Sequence, residues 1–258
     1  METTHPIGTR LREWRQRRHL SQLDLALDAE ISTRHLSFVE TGRSAPSRDM
    51  VLRLAAELDV PLRERNALLL AAGYAPVYAD RSLDDASFKT VRAAIEILLK
   101  AHDPFPALAI DRYWNLVTAN RAGMALMQGV ASHLLEPPVN VLRVSLHPDG
   151  AASRIENLAE WRAHLLHRLR KQFEASADPK LLDLLDELKG YPAPPPHSPD
   201  PAAIAVPLCV RSERGTMSFL STTMLFGTPL DVSLSELAIE IFLPADAATV
   251  DLLRQLGP

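Results

Sequence analysis

Cysteine is almost missing from these 258 residues: Cys209 stands alone, so no disulfide can close within the chain. That suits a reducing compartment. Long apolar runs are missing too. No stretch approaches the ~20 uncharged residues that a membrane-spanning helix needs, and the polar N-terminus lacks the apolar core of a signal peptide. A cytoplasmic protein with no membrane partner is therefore expected. The sequence also lacks a His-Glu-x-x-His pair, a phosphate-binding glycine loop, a dinucleotide fingerprint and a nucleophile elbow. His164 and His167 stand three apart, a spacing that can share a metal, but no cysteine or carboxylate set completes the three or four ligands zinc usually takes. The expectation is no enzyme, no metal and no cofactor.

What is present is a globular composition, 47% hydrophobic, with a net charge of -4. The charge is unevenly spread. Residues 1–73 hold 11 Arg and 10 Asp+Glu, giving +1, and the other 185 hold 17 Lys+Arg and 22 Asp+Glu, giving -5. A basic surface facing nucleic acid on an otherwise acidic chain fits that polarity.

The apolar pattern divides the chain at a linker over 75–83. Residues 1–74 read as a domain of five short helices over 7–72. Ile7, Leu11 and Trp14 recur at helical spacing, and Ser21, Ser32 and Ser47 stand where helix caps belong. Asp24 completes a capping box with Ser21. Gly42 can take the positive φ that ends the third helix, and Pro61 starts the fifth, which carries Leu68, Leu69 and Leu70. Residues 84–258 read as an α+β domain. A helix over 84–102 precedes strands at Ala107–Asp111 and Trp114–Ala119. Asn120–Gln128 looks helical, Asn140–Leu146 is ambiguous, and long helices cover 153–176 and 178–189. Six prolines in 192–201 mark a loop or insertion. Period-two alternation then takes over at Ile204, Val206, Leu208 and Val210, again within Thr216–Phe226, and at Leu237, Ile239, Ile241 and Leu243. A helix over Asp246–Leu256 closes the chain, and the strands imply an antiparallel sheet.

The third helix has the makings of a DNA-reading element. Leu36 and Val39 point inward, which turns Thr33, Arg34, Ser37 and Phe38 outward. Arg34 can bond the O6 and N7 of guanine, Thr33 and Ser37 can bond base edges or phosphates, and Phe38 can touch a thymine methyl. Gln22 opens the second helix, where an N-terminus approaches the phosphate backbone, and Arg43 and Arg48 flank the next loop as phosphate partners. A plain structural bundle is the alternative.

Gln22, Leu25-Ala26, Ala29, Ile31-Ser32, Leu36, Glu40 and Gly42 resemble the Cro/CI-type (XRE) helix-turn-helix across residues 7–60. Glu30 departs from that pattern, which has glycine in the turn. A longer resemblance is to the MmyB-like transcription regulators, carried by Ser32 through Arg43, Arg63-Glu64-Arg65-Asn66, Ile110 through Trp114, His147-Pro148-Asp149-Gly150, Phe226 through Val232 and Phe242 through Asp246. It implies a PAS-like sheet flanked by helices, a double-stranded DNA partner, and a C-terminal domain able to hold a fatty-acid-like ligand. Where the family has an aromatic after the Asn matching Asn157, this chain has Leu158, with Trp161 one turn later.

A pocket for an acyl chain needs an apolar lining and one or two polar anchors. Met124, Met127, Met217 and Met224 are adaptable lining candidates. Head-group candidates are Asn120, His147, Arg154 and Asn157. Each has a plainer reading as core or as a helix cap. The expected protein is a homodimeric regulator with a small apolar ligand, against a DNA-tethered protein-interaction module without one.

Overall fold

The computed structural model describes residues 7–195 and 204–255. The chain forms two compact units. The first gathers the described residues up to Arg81 with the short segments Glu174–Ala177 and Pro229–Val232, and the second holds the rest. Most of the proline-rich stretch, and Leu256 of the closing helix, lie outside the described residues.

Five helices build the first unit: α1 (Ile7–Arg17), α2 (Gln22–Asp28), α3 (Thr33–Glu40), α4 (Arg48–Glu57) and α5 (Leu62–Ala71). Three of them start where a serine hydroxyl accepts an otherwise orphaned N–H: Ser21 from Asp24, Ser32 from His35 and Ser47 from Met50. The Asp24 carboxylate returns the bond to the Ser21 N–H at 3.0 Å, closing the capping box. Leu11, Leu25, Leu36, Val39, Leu54 and Leu58 are fully buried, each side chain contributing about 1.5–3 kcal/mol. Leu68 and Leu69 take the core-facing positions of α5, and Leu70 is exposed. Glu30 sits at φ 54° in the turn before α3, the left-handed region that favours glycine. Gly8 lets α1 approach α3 closely: a Cβ there would lie 2.3 Å from the Val39 carbonyl oxygen. Part of the expected linker is held down. The Asn66 side-chain oxygen Oδ1 accepts from the N–H groups of Val77 and Tyr78 at 3.0 and 3.1 Å, and Arg63 pairs with Asp80 at 2.5 Å.

The second unit is α+β. Strands β1 (Ala107–Ile110), β2 (Leu116–Ala119), β3 (Leu208–Ser212), β4 (Gly215–Leu225) and β5 (Ala238–Pro244) form one sheet in the order β2-β1-β5-β4-β3, every neighbouring pair antiparallel. Central β5 is buried on both faces. Ile239 and Ile241 pack with Ile95 and Leu99 of α6 (Lys89–Ala101). On the other face Phe242 joins Leu108, Phe219, Leu165 and Leu169. The remaining helices are α7 (Arg121–Ala125), α8 (Val141–Leu146), α9 (Leu158–Ser176), α10 (Pro179–Lys189), α11 (Val232–Ser235) and α12 (Ala247–Gln255). An antiparallel sheet flanked by helices is the architecture the resemblance implies.

Several boundaries move for physical reasons. Trp114 lies outside the strands at φ 65°. The Asp111 carboxylate accepts from the N–H groups of Tyr113 and Asn115 at 2.8 and 2.9 Å, and this tight loop holds Trp114 in its uncommon conformation. The helix expected from 153 begins at Leu158. Before it, Ile155 bridges Val210, and the Asn157 side chain holds the Pro207 carbonyl and the Cys209 N–H, so this backbone serves the sheet edge. β3 begins only at Leu208, after Pro207, which has no N–H for the ladder, and Ile204 is fully exposed. The ambiguous run Asn140–Leu146 is helical because the Asn140 side chain accepts from the Leu142 and Arg143 N–H groups.

Candidate DNA-binding face and ligand cavity

Helix α3 is fastened from behind and open in front. Arg15 on α1 grips the Glu40 carboxylate with two nitrogens, at 2.6 and 2.9 Å, and donates to the Leu20 carbonyl at 2.9 Å. The Glu40 side chain is 1% exposed. The hydrogen bond to Glu40 raises the Arg15 guanidinium above its ordinary value. Gln22 on α2 donates its amide to the same carboxylate at 2.7 Å. Expected beside a phosphate, Gln22 thus also ties α2 to α3. On the other side of α3, Arg34 is exposed and Thr33, Ser37 and Phe38 are half-buried. The Arg34 and Arg43 guanidinium carbons lie 5.3 and 5.9 Å from the centre of the Phe38 ring, so Phe38 is a shared platform for two cations. Arg43 and Arg48 are exposed. This surface offers guanidinium and hydroxyl groups on a rigid helix, the chemistry that reads bases and neutralises phosphates.

The second unit holds a partly open cavity of ≈ 80 Å³ between the sheet and α9. Its wall includes Trp114, Met127, Val144, Trp161, Leu165 and Phe242. Two charged residues also line it, and they neutralise each other: Arg168 donates to both oxygens of Glu240 at 3.0 and 2.7 Å. Glu240 is 3% exposed. Arg168 also donates to the Thr223 hydroxyl at 2.7 Å and lies over the Trp114 ring. The two indole N–H groups are satisfied, Trp114 by Gln172 at 2.7 Å and Trp161 by Ser145 at 3.0 Å. His164 stacks on Trp161 with its Nε2 buried and without a partner. Burial, and then the nearby Arg168 charge, hold its pKa below the ordinary value.

A second space, an open groove of ≈ 860 Å³, shares two lining residues with the cavity, Leu126 and Val210. Arg154 lines the groove. Among the proposed ligand anchors it alone faces either space. Asn120 is spent on backbone: its oxygen accepts from Ala107 and Gly123, and its nitrogen donates to Leu99 and Phe105. Asn157 is spent on β3, as described. Met124 and Met224 are exposed, whereas Met127 lines the cavity and Met217 the groove. His147 accepts from the Asp149 N–H, and with His133 and Asp149 it forms a surface group whose ligand atoms lie within 4.8 Å, able to hold a divalent ion. Sequence reading missed Arg168 and Glu240. The visible signal was an acidic residue inside the apolar strand Ile239–Phe242 and an arginine one turn from Leu165.

Comparison with known proteins agrees with this layout. The family described as "MmyB-like transcription regulator ligand binding domain" matches residues 91–256, well over half of the chain, and a helix-turn-helix family matches residues 11–65. No curated protein matches. The solved SinR protein/SinI protein complex is similar at 24% identity over 36% of this chain and 82% of its own, with a TM-score of 0.22. Among the described residues no helix is long and apolar enough to cross a membrane. A helix-turn-helix followed by this ligand-binding domain marks a regulator and not an enzyme, and the chain belongs to the MmyB-like transcription regulators.

Proposed function

We propose that the protein is a cytoplasmic, ligand-responsive regulator that works as a homodimer. Thr33, Arg34, Ser37 and Phe38 read an operator, and Gln22, Arg43 and Arg48 sit against its backbone. The C-terminal cavity takes a small apolar molecule of fatty-acid-like shape. Two recognition helices spaced about one helical turn of DNA would engage both half-sites. The ligand regulates by binding two arrangements of the protein unequally. The observation that carries this reading is the tryptophan-walled apolar cavity, whose only charges cancel. It favours a sensor over an interaction module without a ligand, whose core would be filled.

Native mass spectrometry of protein purified from bacteria tests the sensor half. An acyl-type adduct is expected, and a bare mass after gentle handling argues for the interaction module. For the DNA half, selected operator and random duplex are titrated side by side. Arg34→Ala is expected to cost about 1–3 kcal/mol on the operator and far less on random DNA. Equal losses on both would remove Arg34 from base reading.

A further inference from the structure

We propose that His133, His147 and Asp149 form a binding site for a divalent transition-metal ion of the zinc class. None of the three lines the cavity or the groove, so the site is separate from both.

Two stretches of backbone bring the ligands together. His133 stands on the single turn Ser132–Leu134, and His147 and Asp149 stand on the turn that follows α8. The Ala131 N–H donates to the Asp149 carbonyl at 3.0 Å and fixes one stretch against the other. The second turn is closed by the Gly150 N–H on the His147 carbonyl and the Ala151 N–H on the Val144 carbonyl, both at 2.8 Å. It is also tightly packed: a Cβ on Gly150 would lie 2.3 Å from the Val144 oxygen. The ligands thus stand on a backbone that needs no refolding to receive an ion.

The donor atoms converge. His133 Nε2 and His147 Nδ1 each lie 3.9 Å from the same Asp149 oxygen, Oδ2. All three ligand atoms lie within 4.8 Å of one another. Zinc holds N and O ligands at ~2.0–2.2 Å, which in a tetrahedron sets them ~3.3 Å apart, so small side-chain rotations close the site. His147 already has the form a metal needs. Its Nδ1 accepts from the Asp149 N–H at 3.1 Å, so that nitrogen carries a lone pair and no proton. An ion would take over the lone pair, and the N–H of exposed Asp149 would turn to water. The His147 ring is braced edge-on by Tyr191, with ring centres 4.9 Å apart. Tyr191 donates to Glu187, a carboxylate that Arg143 grips at 2.8 and 2.7 Å and so keeps from competing for the ion.

The donor set selects the metal. Two imidazoles and one carboxylate suit zinc, nickel or copper, whereas magnesium and calcium take oxygen ligands. Three protein ligands leave the fourth place of a tetrahedron to water. A bound ion would pin the turn Ser132–Leu134 to the turn after α8.

Full-length protein without an affinity tag is stripped with a chelator and titrated with Zn²⁺, and with Co²⁺, whose visible bands change when imidazole replaces water. Saturation at one ion per chain is expected, and Mg²⁺ and Ca²⁺ should not displace it. His133 and Asp149 are exposed, so their replacement leaves the core intact. His133→Gln and Asp149→Asn should each weaken Zn²⁺ binding at least about tenfold. His167→Gln, on the exposed side of α9, is the control and should change nothing. Zn²⁺ should also raise the Tm of the unaltered protein and not that of His133→Gln, since an ion that binds only the folded site stabilises it. Zn²⁺ binding undiminished in both ligand variants overturns the proposal. So does a loss in His167→Gln as large as in His133→Gln, which would mean that ions gather on surface histidines at large. No uptake of Zn²⁺ by the unaltered protein, or equal affinity for Mg²⁺, overturns it without recourse to any variant.

Discussion

His164 stacks its ring on Trp161 and buries Nε2 without a partner, so a proton added there enters an unfavourable place. Its folded pKa lies below the ordinary 6.5. As pH falls through 6.5, the unfolded chain takes the proton first. The stability contributed by the neutral ring is therefore complete above 6.5 and is lost below it. Urea denaturation at about pH 7.5 and about pH 5.5 should show the loss, and His164→Phe, which keeps the stacking, should reduce it. An unchanged pH slope in the variant would mean that this ring titrates as if in water. Glu30 makes a second case. Its φ of 54° strains a residue with a Cβ, by about 1–2 kcal/mol, while glycine gives back about 0.5–1 kcal/mol in chain entropy. Glu30→Gly should thus stabilise by up to about 1 kcal/mol in the same assay, and a loss of stability would show the backbone is relaxed. Glu30 was legible because the helix-turn-helix pattern that the sequence resembles has glycine at that place in the turn. Asn120 was legible in part: its plainer reading as a helix cap holds through the bond from the Gly123 N–H, but nothing in its type or spacing tells that its other bonds go to backbone as well.

Between elements, the contact of α1 with α3 turns on Gly8. Alanine favours helices over glycine by about 1 kcal/mol. Here its methyl would press on the backbone oxygens of Val39 and Glu40, at 2.3 and 2.7 Å, which cannot swing aside as a side chain can. Overpacking wins, and Gly8→Ala should destabilise by about 1–3 kcal/mol and weaken DNA binding with it. A thermal melt that rises instead would show that α1 stands off from α3. Three of the five N-terminal helices could be located from sequence because their caps are local, a serine and the three residues after it. The start of α9 could not be. It is set by Ile155 meeting Val210, residues that no local pattern connects. Trp114 was placed in a strand for the same reason: its alternation fits, but the Asp111 carboxylate bends the chain there.

At the scale of the whole molecule, the order of helix-turn-helix before α+β ligand-binding domain was readable, since it rests on long runs of periodicity and motif. The cavity was not, because Arg168 and Glu240 stand 72 positions apart and only the fold brings them together. If the ligand is a signal, its effect on operator affinity and the operator's effect on ligand affinity must be the same factor, expected at about 5–150-fold. Dodecanoate titrations with and without operator, and the converse, measure both; a factor of one in each would mean that the chain stores the molecule without responding to it. The clamp of Arg15, Gln22 and Glu40 on α3 has a further consequence. Since the rear of that helix carries its attachment, the front is left free to vary. If Thr33, Arg34 and Ser37 read the operator as proposed, successive substitutions there would retarget the protein to new promoters over generations while the scaffold that presents them is inherited intact.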